Sequence, residues 1–222
     1  MNTFAAVPVK DLVNAKQRLI PVLTSGERRA LARAMLADVL QAVTQALPDS
    51  VWVVTTDAEV KNLARLHGAS CLVESANRGH TEAVAVAQGE ASARRAARFL
   101  TIPGDVPCVT PEEIRTLLAT LEEGSGVAFV PSVSGFGTNG ALLVPPDVMA
   151  LKFGEPSFDN HLEAARQRGL VPAVVSLPGL GLDVDAPEDL SLLLERGATT
   201  RSATLLREWG LPARLATPRP LP

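Results

Sequence analysis

The strongest constraint on this chain is a rhythm. Short runs rich in β-branched and aromatic residues alternate with segments whose apolar residues recur at helical spacing. An α/β fold satisfies that rhythm, because each strand needs a helix to cover it and carry the chain back. Residues 4–9, 51–55, 71–73, 99–102, 127–131, 141–144, 174–176 and 182–184 read as strands. A helix opens near Thr24 or Ser25, where Thr24-x-x-Glu27 is a capping box, and carries Leu31, Met35, Val39, Val43 and Leu47 down one face. Further helices are expected over residues 58–66, ended by Gly68, and over 81–95. Another begins at Thr110-Pro111, with proline at its first position. Ser157 is a good N-cap for a helix over 157–168, and Asp185 for one over 187–194. No internal repeat interrupts the pattern. The expected layout is one domain over residues 1–207 and a loosely held, proline-rich tail over 208–222.

Composition narrows the function. With 222 residues, 46% of them hydrophobic and 20% charged, the chain can bury a sizeable core. A net charge of −3 gives no overall field to attract nucleic acid or an anionic membrane, so neither is expected as a partner. No run approaches the roughly 20 apolar residues that span a bilayer. Lys10 and Asp11 interrupt any signal-like apolar segment. Cys71 and Cys108 cannot form a disulfide framework or a zinc site by themselves, and read as small buried hydrophobes in a reducing cytoplasm.

Ligands of open α/β sheets bind beyond the carboxyl ends of the strands, and four clusters fall at such places. In Val7-Pro8-Val9-Lys10, continuing to Lys16 and Arg18, basic groups gather in an otherwise acidic chain and suit a triphosphate. Neither a dinucleotide glycine fingerprint nor a P-loop is present. Pro103-Gly104-Asp105 sets a carboxylate on a tight turn after a strand, where it can reach a metal. In Leu182-Asp183-Val184-Asp185, strand alternation turns both carboxylates to one side, where they repel unless a cation joins them or one is protonated. Glycine-rich Gly135–Gly140, followed by Phe153-Gly154-Glu155-Pro156-Ser157, could hold the phosphate or carboxylate of a second substrate, or be only a hairpin and an N-cap. Three histidines, His67, His80 and His161, form no recognisable triad and receive no acid–base role.

VPVKDLVNAKQRL, ERRALARAMLADVL, IPGDVPCVTPEEI, GTNGALLVPP, FGEPSF and LDVDAPEDL, in that order, resemble the CofC family. These are guanylyltransferases of deazaflavin coenzyme (F-420) biosynthesis, whose acceptors are 2-phospho-L-lactate, phosphoenolpyruvate or 3-phospho-D-glycerate. The resemblance implies a MobA-like, nucleotide-diphospho-sugar-transferase-like fold of Rossmann type: a mostly parallel mixed sheet with one reversed strand and helices on both faces. It implies GTP as substrate and Mg2+ or Mn2+ on Asp105, Asp183 and Asp185. The nucleotide would lie against Val7, Pro8, Val9, Lys10, Lys16, Arg18, Glu74, Gly79, Thr81, Pro103 and Gly104. The phosphorylated acid would lie against Thr138, Gly154 and Ser157. Lys16, Arg18 and Asp105 are the implied catalytic residues, and a homodimer is left open as the assembly. Two positions depart from the family's pattern. Gly79-His80-Thr81 stands where glycine-leucine-asparagine is usual, and Glu155-Pro156 stands where proline-glycine is usual. Transfer to a molybdopterin or sugar phosphate, and a non-catalytic nucleotide-binding domain, are the competing expectations.

Overall fold

The computed structural model describes residues 2–73, 79–121, 124–154 and 156–216. Its strands are β1 (Thr3–Pro8), β2 (Val51–Val54), β3 (Ser70–Leu72), β4 (Arg98–Thr101), β5 (Gly126–Pro131), β6 (Thr138–Val144) and β7 (Ala173–Val174). Its helices are α1 (Ser25–Ala46), α2 (Ala58–Leu66), α3 (His80–Ala93), α4 (Pro111–Ala119), α5 (Ser157–Arg166), α6 (Pro187–Arg196), α7 (Arg201–Glu208) and α8 (Leu211–Ala216). One seven-stranded sheet runs β3-β2-β1-β4-β6-β5-β7. Every neighbouring pair is parallel except the two made by β6.

Strand alternation builds a core on each face. Ala5 and Val7 of β1, Leu100 of β4, Val130 of β5 and Leu142 of β6 face α1, α2 and α4. Phe4, Ala6, Phe99, Phe129 and Leu143 face α3 and α5. Helix α1 is buried on two sides. Leu36 and Leu40 touch the sheet, while Leu31 and Met35 meet a third cluster made by Leu182, Val184, Leu190, Leu206 and Leu211. The Thr24–Glu27 capping box forms as expected.

Two topological features place the site. From β1 the chain first moves outward to β2 and β3, then returns to the other side of β1 as β4, so a crevice opens where the ends of β1 and β4 diverge. Because β6 alone runs backward, its first residues, Thr138 and Asn139, reach the rim where the parallel strands end.

Several local expectations change. Residues 182–184 form no ladder and are extended coil, although burial still alternates as in a strand. Ser157 is the first helical residue, with Pro156 before it as N-cap. Asp185 does not cap α6; the Asp189 carboxylate accepts from the amides of Asp185 and Ala186 instead, at 2.9 and 2.7 Å. The chain beyond Arg207, read as a loose tail, includes α8, whose Leu211 is fully buried and whose Arg214 pairs with Glu27 of α1. Cys108 is buried, but Cys71 is only half-buried. Among the described residues no helix is long and apolar enough to cross a membrane.

Candidate active site

The loop after β1 is shaped by its own polar residues. Asp11 accepts from the Asn14 amide at 2.8 Å, and the buried Leu12 donates its amide to Asp57, the N-cap of α2, at 3.1 Å. The loop delivers Lys16 in the left-handed region, φ 56° and ψ 46°, which costs a non-glycine residue about 1 kcal/mol. Compensation is at hand. Leu19, in the next single turn, is fully buried, and the Lys16 ammonium donates to Asp105 Oδ2 at 2.6 Å and to Asp185 Oδ1 at 2.7 Å.

The two carboxylates come from segments far apart in sequence that are stitched together by backbone. Val184 N donates to Asp105 O at 3.1 Å, which sets residues 182–185 beside the turn after β4. Upstream, the Glu113 carboxylate of α4 accepts from Gly179 N at 2.7 Å and Leu180 N at 2.9 Å. Asp183, between these anchors, accepts from Asn139 Nδ2 at 3.0 Å, and the same amide group reaches Gly181 O at 2.9 Å.

The electrostatics follow. Burial disfavours the Lys16 ammonium, but Asp105 and Asp185 outweigh it and push its pKa up to about 12. Burial pulls the Asp105 carboxyl upward, yet the Lys16 charge and hydrogen bond hold it below the usual range. Asp183 goes the other way. Burial raises it, the Asn139 bond opposes this, and the like charges of Asp105 and Asp185 add to the rise. The three aspartates therefore sit within electrostatic reach of one another, with a lysine serving two of them. Among the described residues no cluster of three or more His, Cys, Asp or Glu is arranged as a metal site, and Lys16 bridges Asp105 and Asp185.

Around this centre opens a cleft of about 420 Å³ lined by Pro8, Val9, Lys10, Lys16, Pro103, Gly104, Asp105, His80 and Asp185. Gly104 keeps it open, since a β-carbon there would come within 3.0 Å of Val9 and 3.2 Å of Leu36. Val7 is fully buried behind the cleft, and Arg18 is exposed and not among the residues that line it. Gly79, at φ 103°, is the N-cap of α3. The Thr81 hydroxyl is engaged with the backbone of Phe153, accepting from its amide at 3.0 Å and lying 3.2 Å from its carbonyl. Glu74 and Glu155 lie outside the described residues.

Beside the cleft, at the start of β6, Thr138 N donates to Ser157 Oγ at 3.0 Å, and Thr138 Oγ1 lies 2.9 Å from His161 Nδ1. The other ring nitrogen, Nε2, accepts from Lys152 N at 3.0 Å. His161 stacks on Phe129 and takes the edge of Phe153, whose other contact is His80 at 4.4 Å. Gly154, at φ 123°, borders a second hollow of about 470 Å³ shared with Lys152 and His161. Sequence assigns no site role to Glu113 or Asp189, and it takes in Asn139 only as part of the Gly135–Gly140 run. His161 reads as a residue at the border of the pocket without acid–base work, four positions after Ser157 and so on the same helical face.

The sequence profile described as "Guanylyl transferase CofC like" matches residues 3–218. A phosphoenolpyruvate guanylyltransferase of Conexibacter woesei is 39% identical over 204 residues, covering 90% of this chain and 91% of the relative. A 2-phospho-L-lactate guanylyltransferase of Methanothermobacter thermautotrophicus is 34% identical, covering 94% and 91%. Among solved structures, one from Desulfovibrio desulfuricans, described as a nucleotide-diphospho-sugar transferase, superposes with a TM-score of 0.77 at 19% identity, covering 96% of this chain and 98% of that one. At that identity the likeness is one of fold. The sheet order, the reversed β6 and the helices on both faces are those of the nucleotidyltransferase fold.

Proposed function

The chain belongs to the CofC-like guanylyl transferase family, and from that membership we propose that it transfers GMP from GTP to the phosphate of a small phosphorylated carboxylic acid. In this reaction a phosphate oxygen of the acid attacks the α-phosphorus of GTP, the bond to the bridging oxygen breaks, and pyrophosphate leaves with that oxygen. The new diphosphate links GMP to the acid. A phosphate oxygen is already ionised near neutral pH, so the site needs alignment and charge neutralisation more than a strong base.

The observation that carries the reading is the double ion pair of Lys16 with Asp105 and Asp185, set in the cleft where β1 and β4 diverge. In this reading Lys10, Lys16 and Arg18 would meet the triphosphate, and Pro8, Val9, Pro103 and Gly104 the nucleoside. Thr138, Gly154 and Ser157 would meet the acid. The three aspartates offer the hard oxygen donors that Mg2+ or Mn2+ prefers, and burial, with the like charges of Asp105 and Asp185 adding to it, raises the Asp183 carboxyl. Such a cation on Asp105, Asp183 and Asp185 would supply Lewis-acid neutralisation of the phosphates. Lys16 would then exchange its carboxylate partners for phosphate oxygens, so that the lysine holds the acidic residues together until the substrates arrive. GTP and a phosphorylated acid are soluble metabolites, which suits a cytoplasmic enzyme.

The test is to incubate the protein with GTP and Mg2+ and each of phosphoenolpyruvate, 2-phospho-L-lactate and 3-phospho-D-glycerate in turn. Pyrophosphate release and the product mass are then followed. At least one acid is expected to give the GMP adduct, and excess chelator to abolish it. Bound GTP with no pyrophosphate from any of the three acids would refute the reading.

A further inference from the structure

We propose that His161 is a positioning residue for the acid. It donates its Nδ1 proton to Thr138 and thereby leaves the Thr138 hydroxyl proton free for an anionic oxygen of the acceptor. The inference rests on the acceptor site proposed above and assigns the hydrogen-bond polarity within it.

A backbone amide can only donate, so Lys152 N, 3.0 Å from Nε2, requires the lone pair there and places the proton of the neutral ring on Nδ1. That proton meets Thr138 Oγ1 at 2.9 Å, making Thr138 the acceptor. The ring is held neutral by burial, which pushes its pKa down to about 4, and it lies stacked on Phe129. Ser157 Oγ likewise accepts, from Thr138 N at 3.0 Å. Each hydroxyl has one proton. With one acceptor position of each already used inside the protein, the Thr138 proton is available to a bound anion, and the Ser157 proton, which is directed to Thr138 Oγ1 over a long 3.5 Å, can turn to the same anion. The opposite tautomer would spend the Thr138 proton on the ring nitrogen and oppose two N–H groups at Lys152. His161 therefore does not touch the acid; it sets the direction of the group that does.

Two measurements decide this. In protein labelled with 15N-histidine, the ring shifts of His161 report the tautomer directly and without any substrate. The Nδ1–H form is expected, and an Nε2–H form overturns the proposal whichever acid the enzyme uses. In steady-state assays, His161→Phe keeps a ring on Phe129 but removes the donor. KM for the acid should rise by about 10- to 100-fold, the effect of a hydrogen bond to a charged group, with KM for GTP unchanged. Adding Thr138→Val to His161→Phe should then cost much less than Thr138→Val does alone. Fully additive losses, or equal rises in both KM values, would overturn it. A wild-type enzyme silent toward all three acids would instead defeat the parent function, and the tautomer would still decide the polarity.

Discussion

Single residues in this protein carry charge states that only the fold explains. Lys16 and Asp105 hold each other ionised, and His161 is held neutral with its pKa down to about 4. The histidine has a thermodynamic consequence. Its unfolded value is near 6.5, so below that pH the unfolded chain binds a proton that the folded one refuses until about 4. Its folded pKa is depressed, so the contribution to stability is complete above the unfolded value and is lost as pH falls toward the folded one. Between pH 7 and pH 5 this single group should remove about 2 kcal/mol of folding free energy. His80 and His67 are also lowered by burial, so the share of His161 is read as a difference. Urea unfolding of wild type should lose about 2 kcal/mol more over that interval than His161→Phe does. Parallel losses in the two proteins would remove histidine burial as the cause. Sequence could name Lys16, Asp105, Asp183 and Asp185, because charged residues beside turns and strand ends stand out against apolar runs. It could not show that Lys16 bridges two of the aspartates, since that contact spans 89 and 169 positions.

At the scale of elements, the segment between β7 and α6 is one that sequence misread. Leu182 to Asp185 has the apolar-polar alternation of a strand, and burial follows that alternation. Its order nevertheless comes from side chains at a distance. Glu113 grips it at Gly179 and Leu180, Asn139 at Gly181 and Asp183, and Asp189 at Asp185. Periodicity sees neighbours along the chain and is blind to such anchors. Gly179 is the tightest point, because a β-carbon there would overlap the Cys108 carbonyl oxygen and the Glu113 carboxylate. Gly179→Ala should therefore destabilise the protein by about 3 kcal/mol. It should also depress turnover in the folded fraction, because Asp183 and Asp185 hang from the displaced segment. A thermal melt paired with a pyrophosphate assay checks both, and an unchanged melting temperature would mean that the segment tolerates slack. The regular helices were far easier to read. Ala58–Leu66 begins at the expected residue because Asp57 caps it, accepting from Glu59 N and Val60 N.

The whole molecule is closed by its last described helices. Asp38 of α1 is buried, and its carboxylate accepts from the amides of Arg201 and Ser202, both at 2.9 Å, so it caps α7 from across the fold. α8 then drops Leu211 into the cluster that also contains Met35, Leu182 and Val184. Through residue 216, the end expected to be loosely held is thus continuous with the support of the acidic segment. Leu211→Ala should cost about 3 kcal/mol by denaturant unfolding. A value near zero would show that this end of the chain is not part of the cooperative unit. The reversal of β6 acts at the same scale. The proposed grip on GTP comes from the loops after β1 and β4, whereas the proposed contacts with the acid come from the start of β6 and the N-terminal end of α5. On that division of labour the two specificities are inherited from different stretches of polypeptide. Acceptor preference could then drift, or be redesigned, around Thr138, Ser157 and His161 while the guanylyl donor stays fixed.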